Sequence, residues 1–407
     1  GVVVAVLVCG ARRVSDPEAL AEGHSLRREL ILHAGTHKTA STYIQARLKR
    51  NRDRLSAHGI VYAFPEGDTT FKRLSKAIGN CDWSVWHDYL RQTIQPDHHL
   101  LISAEQLGSR LTERRVIARL GRIARRHGLQ LRVVIFIRSQ LDYINSRYAY
   151  SLKRFYHTEP FESFVSAALQ GRLPSSEAFS GEHRQRQDVF DFWNYFRHLR
   201  RARRKGLSVN FIPFRQTASD PFDQLLLELG LSPGSGWTSS PERSKNRSPG
   251  IRGIHLAREL GLRLQQGGIA PRRIHNSSSV ITKEEAFRGW DDPPYWGFTP
   301  ELATLVSNHF KRNNQRFARE IWGRGWHKVY QRDAALLNRE RCEYKPGRRE
   351  QERMQRIADH LFNRLRRRLQ PRPLHGWREP LERLSFNLID AISFRSRHLK
   401  VLRSRRA

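Results

Sequence analysis

Cysteine is scarce in this chain of 407 residues, with three in all: Cys9, Cys81 and Cys342. Scattered, odd in number and without metal-ligand spacing, they exclude a disulfide framework and a zinc ribbon and fit a reducing compartment, the cytoplasm. Acidic residues are few as well: 39 Asp+Glu stand against 73 Lys+Arg, for a net charge of +34. Such a balance favours anionic partners, a polyanionic glycan or a membrane surface among them, and does not by itself make a nucleic-acid binder. No specific nucleic acid is expected.

Long apolar runs are also missing. Gly1 to Cys9 is the most continuous one near the start and is too short to cross a bilayer. No basic segment precedes it, and Val8 before Cys9 argues against a lipoprotein cleavage site, so it is expected to be a misplaced start or an extra strand. No internal repeat or simple low-complexity tract is found. What the chain does have is a hydrophobic fraction of 38%, enough for the core of one large α/β domain. The division expected is an extension over 1–27, an α/β domain over 28–337 and a basic helical tail over 338–407. That tail holds 20 Lys+Arg against 8 Asp+Glu. In it Leu381, Leu384, Leu388, Ile392 and Leu399 approximate one helical face opposed by arginines, suited to docking on the domain or to lying on the anionic inner face of a membrane.

The organising stretch is Glu29 to Gln45. Leu30, Ile31 and Leu32 read as a buried strand, Gly35 to Ala40 as a turn of small and hydroxyl-bearing residues, and Tyr43, Ile44 and Leu48 as the start of a helix. The first N–H groups of such a helix lack intrahelical partners and lie at the positive end of its dipole, so an anion is stabilised there. Lys38 adds a full charge inside the turn. The nucleotide P-loop pattern G-x-x-x-x-G-K-[ST] does not fit, because here the lysine precedes the small residue and the hydroxyls: Gly35, Thr36, His37, Lys38, Thr39, Ala40, Ser41, Thr42.

A second corner has the same grammar. Leu131 to Arg138 is a strand apolar on both faces, as in a parallel sheet, and it runs into Ser139, Gln140, Leu141, Asp142 and a helix carrying Ser146. Arg138 and Ser146 are eight positions apart, across a turn and the first helical turns, and arginine grips phosphate oxygens through a planar fork of donors. Between the corners Leu100 to Glu105 reads as a strand ending in a carboxylate, at the edge where functional side chains of parallel sheets collect. Glu105 is placed to act as a base or to pair with an arginine, and Ser103 is expected to face the same way.

Together these corners resemble the sulfotransferases that use 3′-phosphoadenosine 5′-phosphosulfate (PAPS). In that family the 5′-phosphosulfate loop runs aromatic, proline, lysine, serine or threonine, glycine, two threonines, aromatic; His37 stands in the place of the proline and Ala40 in that of the glycine. The resemblance spans roughly Leu30 to Glu320 and implies a P-loop-type central parallel sheet flanked by helices. It implies that Gly35 to Tyr43 hold the 5′-phosphate, that Arg138 and Ser146 hold the 3′-phosphate, and that Lys38 and Glu105 are catalytic. Glu105 falls where the cytosolic enzymes carry histidine and several carbohydrate enzymes a glutamate; His37 is the other candidate base. No metal is called for, because lysine and amides take the place of magnesium. The Arg-Lys-Gly-x-x-Gly signature of the cytosolic enzymes is absent, which leaves the adenine contact open. The acceptor is expected to be a glycan. A small-molecule P-loop kinase and a non-catalytic polyanion binder are the rival readings.

Elsewhere, the pattern predicts a helix over Ile44 to Leu55, a strand over Ile60 to Phe64 forming a βαβ unit with the first, and helices over Phe71 to Gln95 with Trp83 and Trp86 packed inside. It further predicts a helix over Phe190 to Leu199, a strand over Val209 to Phe214, and helices near Pro221 to Leu229, Ile254 to Leu264 and Leu302 to Phe317. A lid is expected within Leu173 to His183, and His87, His98, His99, His157 and His183 are expected at the surface.

Overall fold

The structure, a computed structural model, describes residues 28–175, 185–186, 188–214, 220–239 and 248–369. The N-terminal run, most of the expected lid and the Leu381 to Leu399 face lie outside the described residues. The chain divides into a compact unit through Ala358 and a second unit from Asp359. The boundary between the units falls within the helix Arg348–Leu369 in sequence.

The architecture is α/β. Five parallel strands, β1 (Glu29–His33), β2 (Ile60–Val61), β3 (His99–Ser103), β4 (Gln130–Ile137) and β7 (Ser208–Pro213), form one sheet in the order β2-β3-β1-β4-β7. A two-residue antiparallel pair, β5 (Arg172–Leu173) and β6 (Gln185–Arg186), stands apart from it. The central strands are apolar on both faces because helices cover both: Leu30 and Leu32, Leu101 and Ile102, and Val133 through Ile137 are fully buried. Each such side chain contributes about 1.5–3 kcal/mol relative to its exposed state.

The connection from β1 passes over β3 to β2, returns to β3, and then crosses β1 to β4. The direction of winding therefore reverses at β1. In open parallel sheets this is where the loops beyond the carboxyl ends part and leave a crevice. The loops after His33, Ser103 and Ile137 meet there: Gly35 lies against the Glu105 backbone and Arg138 donates to the Lys38 carbonyl.

Several expected elements differ. The helix expected over Ile44 to Leu55 is two helices, Ser41–Arg50 and Arg52–Ala57. Asn51 breaks it: its amide nitrogen donates to the Arg47 carbonyl at 2.7 Å and the Thr238 carbonyl at 3.0 Å, while its Oδ1 accepts from the Thr238 N–H at 2.8 Å. The strand from Ile60 stops at Val61, because beyond it Tyr62 and Phe64 turn to pack edge-on against Phe71, with ring centroids 5.3 and 4.9 Å away. β2 pairs with β3 rather than β1. The helix over Phe190 to Leu199 is likewise two, Phe192–Tyr195 and Arg197–Arg204. Trp86 is fully buried and donates to the Leu74 carbonyl, whereas Trp83 is only half-buried. His157 is not at the surface; it is fully buried, with Nε2 2.9 Å from the Ser151 hydroxyl. No helix among the described residues is long and apolar enough to cross a membrane.

Candidate functional site

The loop after β1 is held to the sheet by its backbone. The N–H groups of Ala34 and Thr36 donate to the carbonyls of Val134 and Phe136 at 3.0 and 3.1 Å, and Phe136 donates back to the Gly35 carbonyl at 2.6 Å. Gly35 has φ +84°, and a Cβ there would sit 3.4 Å from the Glu105 backbone, so the loops after β1 and β3 touch where only glycine fits comfortably. Lys38 and Ala40 are both left-handed, at φ 65° and 59°, and this curls the chain into the helix Ser41–Arg50.

The hydroxyls divide into two groups. Thr39 is fully buried and donates to the Thr36 carbonyl at 2.6 Å; Ser41, also buried, points at the same carbonyl at 3.5 Å. Thr36 donates to the Phe136 carbonyl at 3.2 Å. These three side chains shape the loop from within. Thr42 is the exposed hydroxyl, joined by the unpaired amides at the start of the helix. Tyr43 turns away: its hydroxyl donates to Asp220 and accepts from Arg47 at 3.1 Å.

Glu105 lies in the turn beyond β3, not on the strand. Ser103 does not share its direction, because the Ser103 hydroxyl is buried 2.7 Å from Nδ1 of His33. Glu105 instead faces the β1 loop, with Oε1 3.6 Å from Nδ1 of His37. Burial alone would raise its carboxyl, but His37, Lys38 and Arg147 outweigh burial and hold it below the ordinary glutamate value.

Arg138 leaves the end of β4 with a largely buried guanidinium. Its Nε donates to Asp142 at 2.8 Å, and its Nη1 donates to the backbone carbonyl of Lys38 at 2.6 Å. Two of its five N–H donors are thus used, and the remainder keep the fork available to an anion. Ser146 is buried on the helix Gln140–Lys153 that follows.

That helix also carries a group not anticipated from the sequence. Tyr150 has Lys38 Nζ 4.9 Å from its ring centroid, and the guanidinium carbons of Arg147 and Arg154 lie 5.9 and 5.6 Å from it. Lys153 is buried. Burial first, then the charges of Lys153, Arg138 and Arg147, push the Lys38 ammonium down to about 7, against an opposing pull from Glu105. The part of this shift that comes from Lys153, Arg138 and Arg147 is a repulsion between like charges, which an anion beside them would relieve. The available signal was the i, i+3, i+6, i+7 spacing of Arg147, Tyr150, Lys153 and Arg154 along one helix.

The structure therefore brings together Gly35 to Thr42, Glu105 and Arg138 at the carboxyl edge, and sets Tyr43 aside in an ion-paired corner of its own. Among the described residues no cluster of three or more His, Cys, Asp or Glu is placed to hold a metal ion. Comparison with family models, curated proteins and solved structures finds no match for this chain.

Proposed function

We propose that the protein is a PAPS-dependent sulfotransferase with a P-loop-type sheet. The observation that carries this reading is the convergence of Lys38, Glu105 and Arg138 from three adjacent parallel strands, with a surplus of buried cations around Lys38. The residues fit a bisphosphate donor: a curled loop with free amides and Thr42 on one side, an arginine fork on the other. The donor supplies an activated sulfuryl group. The loop amides, Thr42 and Lys38 hold its 5′-phosphate, while Arg138 and Ser146 hold the 3′-phosphate, with Thr36, Thr39 and Ser41 keeping the loop in shape.

Glu105, kept ionised by His37, Lys38 and Arg147, takes the proton from the acceptor hydroxyl or amine as that atom attacks. Lys38 faces the charge that grows on the leaving oxygen. A glycan is the acceptor best suited to so basic a protein. Cys81 and Cys342 are free thiols, which supports assignment to a reducing compartment such as the cytoplasm.

The test is calorimetry on the full chain with adenosine 3′,5′-bisphosphate in the presence of a chelator, against ATP with magnesium. Tight binding of the bisphosphate without metal supports the reading. Preference for ATP with magnesium replaces it with a kinase, and binding of neither leaves a polyanion-binding protein.

A further inference from the structure

At the opposite edge of the sheet the helix Arg114–Arg126 and the helix Arg197–Arg204 flank the first residues of β4 and β7. Between them lies a cavity of about 1170 Å³, open to solvent and bounded by Gln130, Leu131 and Ser208 at the strand starts. β4 is eight residues long, so this groove is about 25 Å from the loop that carries Arg138.

The walls are strongly cationic. Arg114, Arg122 and Arg125 come from one helix, and Arg201, Arg204 and Lys205 from the other and the turn after it. The apolar face of the first helix, Val116, Ile117, Leu120, Ile123 and Ala124, is buried, which turns its arginines outward. Arg204 lies 3.8 Å from Glu320, but Arg114, Arg122, Arg125, Arg201 and Lys205 have no carboxylate within ion-pair distance among the described residues. The one carboxylate on the wall among the described residues, Glu29, is taken by Arg132 at 3.2 Å. His198 stands among these cations; its imidazole is lowered by burial and then by Arg197, Arg201 and Arg114.

Five unpaired cations facing one cavity repel each other, and an occupant that carries several anions removes that repulsion. We propose that this groove binds a linear acidic oligosaccharide through its sulfate or carboxylate groups. Guanidinium forks match both groups in a bidentate manner. From Arg114 to Arg125 the helix rises about 16 Å, which is room for several charged sugar residues rather than for one small anion. Among the described residues no aromatic ring other than His198 lines the cavity, so they offer no platform on which nucleic-acid bases could stack. Its concave shape does not suit a flat bilayer surface. The inference stands on this edge of the sheet alone and does not depend on the sulfotransferase reading.

The test is calorimetry of the full chain at about 150 mM salt with a heparin-derived octasaccharide. Three proteins are compared: wild type, Arg122→Ser/Arg125→Ser/Arg201→Ser, and Arg348→Ser/Arg349→Ser/Arg353→Ser, which removes the same charge from exposed sites elsewhere. The groove variant is expected to lose about tenfold or more in affinity and the other less than about twofold. An Arg→Lys triple in the groove, which keeps the charge and loses the fork, should fall between them and guards against a folding defect in the serine variant. Equal losses in both serine variants, or none in the groove variant, would overturn the proposal. So would equally tight binding of single-stranded DNA of matched charge, or of anionic vesicles, with the same sensitivity to the groove substitutions.

Discussion

The guanidinium of Arg138 donates to the backbone carbonyl of Lys38 at 2.6 Å, across one hundred residues of sequence. The bond ties the loop after β1 to the strand end of β4, so the same arginine that presents a fork to an anion also holds the lysine's backbone in its left-handed turn. Asp142, on the other side, fixes the fork's orientation at 2.8 Å. Arg138→Lys keeps the charge but cannot make both bonds and present a second edge. The variant is expected to bind adenosine 3′,5′-bisphosphate about tenfold more weakly by calorimetry, a loss in the range of one charge-assisted hydrogen bond.

Lys38 sets a pH dependence. In the free protein its ammonium is charged below about pH 7 and neutral above it, and an anion bound beside it would favour the charged form. Binding above pH 7 must therefore take up a proton, and affinity for the bisphosphate should fall as pH rises from 7 to 9, by up to about tenfold per unit. Lys38→Arg, which stays charged, should show a flatter profile in titrations over the same range.

The same shift has a stability consequence of opposite sense to the usual lysine. The folded value lies below the unfolded one, so between about pH 7 and 10.5 the unfolded chain binds more protons and stability rises with pH. Lys38→Met removes the cation. It should raise the melting temperature most at pH 6, with the gain fading as pH approaches 10, while bisphosphate binding is lost.

Glu105 places a negative charge beside the loop after β1. It raises the Lys38 ammonium and pairs with His37, so Glu105→Gln removes that charge. Bisphosphate affinity should rise a few-fold, whereas turnover with a working acceptor should fall by about 10²- to 10⁴-fold. Unchanged turnover would take the role of base away from this residue.

His33 contributes to acid sensitivity. It is fully buried against Phe136, bonded through Nδ1 to Ser103 and without a partner at Nε2 among the described residues, and burial lowers its imidazole to about 4. The unfolded chain protonates first, so the contribution is complete above about pH 6.5 and is lost as pH falls toward 4. The loss amounts to about 3 kcal/mol at most. Denaturant titrations from pH 7 to 4 should show this slope in the wild type and a flatter one in His33→Leu. Ser103→Ala, which leaves Nδ1 unpaired, should cost about 1–3 kcal/mol at pH 7.

Local pattern made the two strand–loop–helix corners legible, because the apolar runs at Leu30 and Val133 are buried on both faces and each ends at a polar turn. The order of the strands was not legible, since nothing in Ile60 or Val61 says that they pair with His99 and Leu100 rather than with β1. Helix breaks at Asn51 and Phe196 keep an unbroken apolar period, and at Asn51 the side-chain contact that ends the helix comes from Thr238. In the site, loop residues were found by type and order, but which hydroxyls face inward depended on Thr36 offering its carbonyl to Thr39. Arg147, Tyr150 and Lys153 went unnoticed because a chain with 73 basic residues gives no contrast to any one of them.

The central claim is that the loop of Lys38 and the fork of Arg138 hold the two ends of one bisphosphate. Calorimetry of wild type and Arg138→Ala with adenosine 3′,5′-bisphosphate and with adenosine 5′-monophosphate tests it most directly. The account predicts that the wild type prefers the bisphosphate by about tenfold or more and that Arg138→Ala, which also releases the Lys38 carbonyl, weakens both ligands but the bisphosphate far more, so that the preference is lost. Equal loss of both ligands in the variant, or no preference in the wild type, would contradict it.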